Sequence, residues 1–449
     1  MKHLATTLRA HLAKDQHFSE LLSKGLIAFL LRLTGALLVF VMQVILARIL
    51  GAYEFGLFAL ALTISMVLAS VARFGMDVGI VKMVAKSVAM ENHAMATGWL
   101  IGASLTVLYL SIGISLVMLL GAFSASASIF GDANLAAPLK TFALGIPVIA
   151  LMLLFAEAHK GLKNMVTSAI VQSIVAPALV IGVAFGEMVH SATGVASAYI
   201  AGCAVSLAVG AYSWHTSHGW HHGSKAAPSE ILAFGWPFFL ANLGTMVLTW
   251  ADTLIVSMFV SMEHVGIYFA ASKLALLTSF ILIAVNAIAA PKFTALYATN
   301  DVAGLQRLAR QSTTLMVLLA ASPTLLLIAI PGFWLGLFGD HFNSGSQALV
   351  VLTLGQAINV ACGSVGLLLA MTGHEKTMRN ILLTTGLLTV LLGAALARHF
   401  GINGMAYATA IGTAIWNIWM LFEVRNKLGF WTLPTLSLTL PANYNRNDK

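Results

Sequence analysis

Charge is scarce in this chain. Lys, Arg, Asp and Glu make up 9% of its 449 residues, whereas a soluble domain carries about 25%. Hydrophobic residues fill 59% of it, so a soluble globular enzyme with a large water-exposed catalytic domain is excluded. Cysteine is nearly absent. Cys203 and Cys362 both fall in apolar runs, so neither a disulfide framework nor a zinc cluster can be built. No G-x-x-x-x-G-K-[ST] stretch occurs, which excludes direct drive by ATP through a phosphate loop. Energy for any vectorial work must come from an ion gradient, the membrane potential or the substrate's own gradient. The net charge of +8 would point a soluble protein towards nucleic acid. Here its placement matters more than its sum, and no nucleic-acid partner is expected.

Apolar runs are what the chain has in quantity. A crossing of a hydrocarbon core of about 30 Å needs about 20 apolar residues. Runs of that kind lie near residues 25–47, 56–74, 95–121, 139–158, 165–186, 194–213, 233–259, 266–289, 311–330, 346–371, 379–397 and 404–422. They predict twelve transmembrane helices, because backbone polar groups cannot be left unpaired in lipid and the runs lack the alternation of barrel strands. An even number of crossings puts both termini on one side. That side is the cytoplasm, since 19 of the 24 Lys and Arg fall in the two tails and the even-numbered connections.

The chain thus divides into a cytoplasmic or interfacial segment (1–24), a first lobe of six helices (25–214), a His-rich connector (215–232), a second lobe of six (233–422) and a cytoplasmic tail (423–449). No cleavable signal peptide is expected. Leu4, Leu8 and Leu12 share one face of an interfacial helix, Asp301 to Arg310 reads as a short surface helix, and the tail from Pro434 to Lys449 reads as loose.

The two lobes are repeats. GVASAYIAGCA (Gly194 to Ala204) aligns with GMAYATAIGTA (Gly404 to Ala414) at an offset of 210, and the same offset carries Phe55-Gly56 onto Val265-Gly266. Six being even, both repeats enter the membrane in the same orientation, related by an axis along its normal. That is the plan of an alternating-access transporter, with a central cavity between two rocking lobes. Small residues also recur by chance in membrane bundles, where they let helices approach closely; the shared offset at two places argues against that explanation.

Charged side chains at mid-membrane cost about 2.5 to 3.5 kcal/mol and normally face a cavity or a partner. Arg32 lies about two turns inside helix 1, and Gln43 returns to nearly the same face. The plain alternative for Arg32 is snorkelling to the headgroups. Asp252 and Lys273 sit at similar depth in helices 7 and 8, which predicts an ion pair, either a buried lock between two helices or a switch in the transport cycle. Asn242, Thr245, Thr249 and Asp252 form one polar stripe, as a wetted cavity wall would. Prolines 147, 177, 237 and 323 lie inside apolar runs and can bend their helices. The HTSHGWHHG connector, with His215, His218, His221 and His222, lacks a carboxylate or cysteine at a metal-binding spacing and is assigned no metal.

RILGAYEFGLFALA (Arg48 to Ala61), FGMDVGIVKMVAK (Phe74 to Lys86), FGWPFFLANLGTMVLTWADTLIV (Phe234 to Val256), VGIYFAASKLA (Val265 to Ala275) and FGINGMAYATAIG (Phe400 to Gly412) together resemble the polysaccharide-transport, Wzx-type flippases of the multidrug/oligosaccharidyl-lipid/polysaccharide exporter (MOP) superfamily. The resemblance implies a V-shaped all-α bundle of about twelve helices in a bacterial inner membrane. It also implies turnover of an undecaprenyl-diphosphate-linked oligosaccharide, an O-antigen, capsule or exopolysaccharide unit, to the periplasmic leaflet. It implies no cofactor, coupling to H+ or Na+, and a polysaccharide polymerase and chain-length machinery as partners. A diphosphate headgroup and a hydrophilic glycan call for cations and hydroxyl or amide donors, as at Arg32, Gln43, Asn242, Thr245, Thr249 and Lys273. In related lipid II flippases cavity cations come from helices 1 and 8, where Arg32 and Lys273 lie.

Two other readings compete. An ion-coupled drug exporter of the same superfamily would be expected to carry acidic residues in the first lobe's cavity, where this chain has Arg32. A membrane polymerase or ligase would place its chemistry in a large outer loop. The longest outer connections, near 122–138 and 331–345, hold no paired carboxylates and no Ser-His or Cys-His combination.

Overall fold

The computed structural model describes residues 16–186, 189–221 and 225–434. The side chains of residues 16–30, Arg32, Ala241, Val247 and Leu248 lie outside that description, as do the expected interfacial leucines, His222 and most of the tail. No strand occurs among the described residues. Nine of their helical stretches are long and apolar enough to cross a membrane. The protein is an all-α, multi-pass membrane bundle, as its hydropathy requires.

Several expected spans are joined and others are broken, each for a local reason. Helix α1 (Gln16–Arg73) joins the first two through Gly51, whose φ of 72° and ψ of 172° suit only a residue without a Cβ. Helix α2 (Met76–Ala89) then turns the expected connection into a helix of its own, started by left-handed Gly75. Helix α3 (His93–Ser128) is capped by Asn92 and runs past the expected end at 121. After α4 (Ala136–Gly161), the fifth span divides into α5 (Met165–Ser173) and α6 (Val175–Phe185). Pro177 supplies no N–H to the carbonyl one turn earlier, so the break falls just before it. Helix α7 (Ala192–Ser217) closes the first lobe.

The second lobe opens with α8 (Pro228–Val256) and α9 (Met262–Leu276). A 3-10 turn at Leu277–Ser279 separates α9 from α10 (Phe280–Ala298), splitting the expected eighth span. The surface helix expected at 301–310 is instead the start of α11 (Val302–Ala329), where the Asp301 carboxylate accepts the Gly304 N–H at 2.8 Å. Short α12 (Pro331–Gly336) precedes α13 (Ser346–Cys362) and α14 (Val365–Met371), which part at Gly363 with φ 75°. Helix α15 (Glu375–Leu428) doubles back at Gly401, φ 56°. Gly412 packs on Thr389 and Gly393 on Met405. An unbroken helix would hold the first of those pairs about 34 Å apart at 1.5 Å per residue.

Glycine contacts express the repeat in three dimensions. Gly145 of α4 packs against Ile200 of α7, and Gly355 of α13 packs against Ala410 of α15, each member displaced by 210. Between the lobes, a Cβ on Gly56 would meet the Met262 carbonyl, and one on Gly266 would meet the Ala52 carbonyl. These pairs also differ by 210. Reciprocal contact of this kind is what a two-fold axis between like-oriented units produces.

The lobes also touch at both ends. At the Gly51 end, Arg48 Nε donates to the Leu337 carbonyl at 2.6 Å, and Phe55 packs edge-on against Phe269 and Phe342 with centroids 5.9 and 6.0 Å apart. At the lysine-rich end, Phe74 stacks on Phe239 at 4.8 Å and on Trp236 at 5.8 Å, while Gly75 abuts Gly235.

Candidate transport site

Helix α8 carries a polar stripe, and one of its members reaches the other lobe. Its lower part crosses to the first lobe, where Asn242 Nδ2 donates to Asp77 Oδ2 at 3.4 Å. Asp77 is itself held by a hydrogen-bonded ion pair with Arg73, one turn earlier. Arg73 is buried, and its Nη1 has no hydrogen-bond partner. Nearby, Lys82 Nζ lies 4.6 Å from the centre of the Phe238 ring, a second contact from α2 to α8. Arg73 is one of the 19 Lys and Arg counted in the tails and even-numbered connections. The four-residue spacing of Arg73 and Asp77 was the signal available for pairing.

Higher on α8, Thr245 and Thr249 are exposed, and the Thr249 hydroxyl donates to the Thr245 carbonyl at 2.7 Å. Asp252 is enclosed. Its Oδ1 accepts the Thr253 N–H at 2.7 Å, and its Oδ2 accepts the Tyr268 hydroxyl at 3.2 Å. The same tyrosine oxygen lies 3.2 Å from Thr409 Oγ1 of α15. Asp252, Thr389, Thr409 and Thr413 line a cavity of about 30 Å³, the share of one water in the liquid. Carboxylate and hydroxyl oxygens are hard donors, suited to a proton, a water or a small hard cation.

Lys273 is on the neighbouring helix but does not touch Asp252. Its ammonium lies over Phe269 at 4.5 Å and Trp250 at 5.5 Å, held by the negative faces of the two rings. No contact within 4 Å joins the two charges, although each lies within electrostatic reach of the other. The expected direct ion pair is thus replaced by two separately supported groups, because Tyr268 and Thr253 already satisfy the carboxylate. Gln43 is buried in α1. Arg32 lies in α1 with its side chain outside the description.

A further polar cluster in the second lobe has no counterpart in the sequence reading. Gln356 Oε1 accepts from Asn359 Nδ2 at 3.2 Å and from the Ser279 hydroxyl, while Ser364 donates to Asn286. These groups meet where the helices break at 277–279 and 363. In the outer connection, Asp132 accepts the Tyr53 hydroxyl at 2.7 Å.

Among the described residues no group of three His, Cys, Asp or Glu side chains is arranged to hold a metal ion. In the connector, the His218 and His221 rings instead pack on His93 at the start of α3, with centroids 4.8 and 5.3 Å away. Burial pushes the His218 imidazole below the usual histidine range, and charge on its two neighbours acts in the same direction.

This architecture defines a fold class, a helical membrane bundle that solved transporters share. The chain superposes on a multidrug resistance MATE family transporter in an inward-facing conformation with a TM-score of 0.73 at 13% identity, over 89% of this chain and 98% of that one. It superposes on the lipid II flippase MurJ, in an inward closed conformation, with the same score at 15% identity, over 89% and 87%. Within that class, the chain belongs to the polysaccharide biosynthesis protein family, whose model it matches over residues 21–297. A relative, the probable flippase AglR of Haloferax volcanii, is 27% identical over 214 residues. That alignment takes in 46% of this chain and 42% of AglR, so the chain spans less than half the length of this relative.

Proposed function

We propose that this protein is a flippase for a lipid-linked oligosaccharide of the undecaprenyl-diphosphate type, moving it from the cytoplasmic to the periplasmic leaflet of a bacterial inner membrane by alternating access. The observation that carries this reading is the polar seam between two like-oriented lobes, typified by Asn242 of one lobe on Asp77 of the other. Membership of the polysaccharide biosynthesis family and likeness to a probable flippase support the lipid-linked glycan as cargo. In this reading Lys273 presents its ammonium to a phosphate oxygen, with Arg32 as a second cation and Gln43, Thr245 and Thr249 as donors to sugar hydroxyls. A polysaccharide polymerase with chain-length machinery would consume the flipped unit. The protein itself makes and breaks no bond.

Reconstitution tests this directly. In vesicles supplied with undecaprenyl-diphosphate-linked glycan, the glycolipid changes leaflet and keeps its mass. Lys273→Ala and Arg32→Ala are expected to lower transport at least tenfold with membrane abundance within twofold of wild type. Full transport by both variants rejects the cationic site.

Coupling is assigned to Asp252, whose enclosed carboxylate and hydroxyl neighbours suit H+ or Na+. Asp252→Asn keeps the shape and removes the charge. Transport by this variant is expected to become insensitive to imposed proton and sodium gradients, and an undiminished response to either would remove Asp252 from that role.

A further inference from the structure

An apolar groove of about 630 Å³ opens between the lobes. Its walls come from the second arm of α1 (Ile64, Leu68), from α3, from the start of α4, and across the seam from Leu254 and Met258 near the end of α8. It is lined almost wholly by carbon and lies among helices that are apolar enough to cross a membrane. Beside it α3 is bare: Val117 is 72% and Leu120 80% exposed.

Two glycines of α3, Gly113 and Gly121, form part of the lining. Many helical glycines of this bundle admit a neighbour, since a Cβ on Gly56, Gly202, Gly235, Gly266 or Gly355 would strike the facing chain, whereas Gly182 of α6 faces open space. Around Gly113 and Gly121 nothing lies within 4 Å of such an atom. No protein segment explains their lack of a side chain. Eight residues apart, they leave about 12 Å of α3 open along the helix axis at 1.5 Å per residue.

We propose that this groove holds the hydrocarbon tail of the lipid-linked substrate, a methyl-branched polyisoprenoid; the proposal rests on the flippase reading above. Three features favour that occupant. The groove is bounded by both lobes, so whatever fills it is gripped by the parts that must move. Leu254 and Met258 lie within six residues of Asp252 on α8 but on the other side of the helix, so the polar pocket and the apolar groove flank the same helix. Methyl branches thicken an isoprenoid relative to a straight acyl chain, and the two glycines provide clearance down to the backbone. At about 30 Å³ per water-sized group, the volume takes roughly twenty such groups. The groove lies in the half of the bundle away from the lysine-rich end, the half into which an exporter delivers its lipid.

The test is photolabelling of the full chain in phosphatidylglycerol vesicles with a diazirine-bearing fifty-five-carbon polyprenyl phosphate, which needs neither the glycan nor transport. The expected result is labelling on α3 between residues 113 and 125 that excess unlabelled polyprenyl phosphate displaces and excess phosphatidylglycerol does not. Gly121→Phe should lower it at least fivefold with the unfolding temperature unchanged, and Gly121→Ala should retain it. Absent labelling, equal displacement by both lipids, or full labelling of Gly121→Phe overturns the groove assignment. Because the vesicle transport assay is separate, a flippase with an unlabelled groove and a labelled groove without transport are distinguishable results.

Discussion

Replacing Gly56 by alanine is expected to spread the crossing of α1 and α9 and to cut transport at least tenfold, and Gly266→Ala is expected to do the same. In an ordinary helix interior the change from glycine to alanine stabilises by about 1 kcal/mol. Here the sign reverses, because the new methyl would enter the carbonyl of Met262 or of Ala52. Backbone cannot swing aside as a flexible side chain does, so the helices must separate, and overpacking of this kind costs about 1 to 3 kcal/mol. The two substitutions should have matching effects since they are related by the 210-residue repeat. Gly182→Ala, facing open space in α6, is the control and should leave transport unchanged. Separation can be read with a bifunctional thiol reagent on cysteines introduced at Arg48 and Leu337, which meet at the Gly51 end; the native Cys203 and Cys362 are both buried. Cross-linking should fall in step with transport. Unchanged cross-linking in both alanine variants would show that the crossing tolerates the methyl and that the close approach is not needed.

Arg73→Ala is expected to be the most destabilising single change at the polar seam. The arginine side chain is 9% exposed and its partner Asp77 is 21% exposed, so truncation strands a largely buried carboxylate. Removing one member of a buried pair costs about 3 to 5 kcal/mol. The loss should appear as reduced membrane abundance and a lower unfolding temperature in detergent. Asp77→Asn should cost less, because the amide still accepts from Arg73. Exchange of the two charges, Arg73→Asp with Asp77→Arg, should recover part of the loss, since the four-residue spacing on the helix is preserved. Wild-type abundance and unfolding temperature for Arg73→Ala would mean that water reaches the pair and that it does not secure the lobes.

The same two sites mark how far the sequence could be read. Gly56 and Gly266 were visible as equivalent positions because the repeat is written in residue types at a fixed offset. That they touch each other was not, since an offset relates positions and carries no distance. Arg73 follows an apolar run and precedes Lys82 and Lys86, which is the pattern of a solvated cytoplasmic loop. Only the placement of α8 beside it, with Phe74 stacked on Trp236 and Phe239, removes it from water. Asp252 and Lys273 were found at similar depth because depth follows from counting residues along a helix. Their partners were not found. Tyr268 shares a helix with Lys273, but Thr409 is 141 residues away from it in the chain, and the rings of Trp250 and Phe269 take the ammonium that the aspartate was expected to hold.

By itself the sequence determined that the protein is a helical membrane bundle, that it consists of two like-oriented halves, and which buried polar residues require explanation. Hydropathy and repeat are properties of neighbouring residues, and lipid leaves the backbone no alternative to the helix. The tertiary structure alone decided where the helices break, which polar groups meet across the seam and where an apolar groove remains open. Those depend on how side chains hundreds of residues apart fill the same space, and no local pattern encodes that.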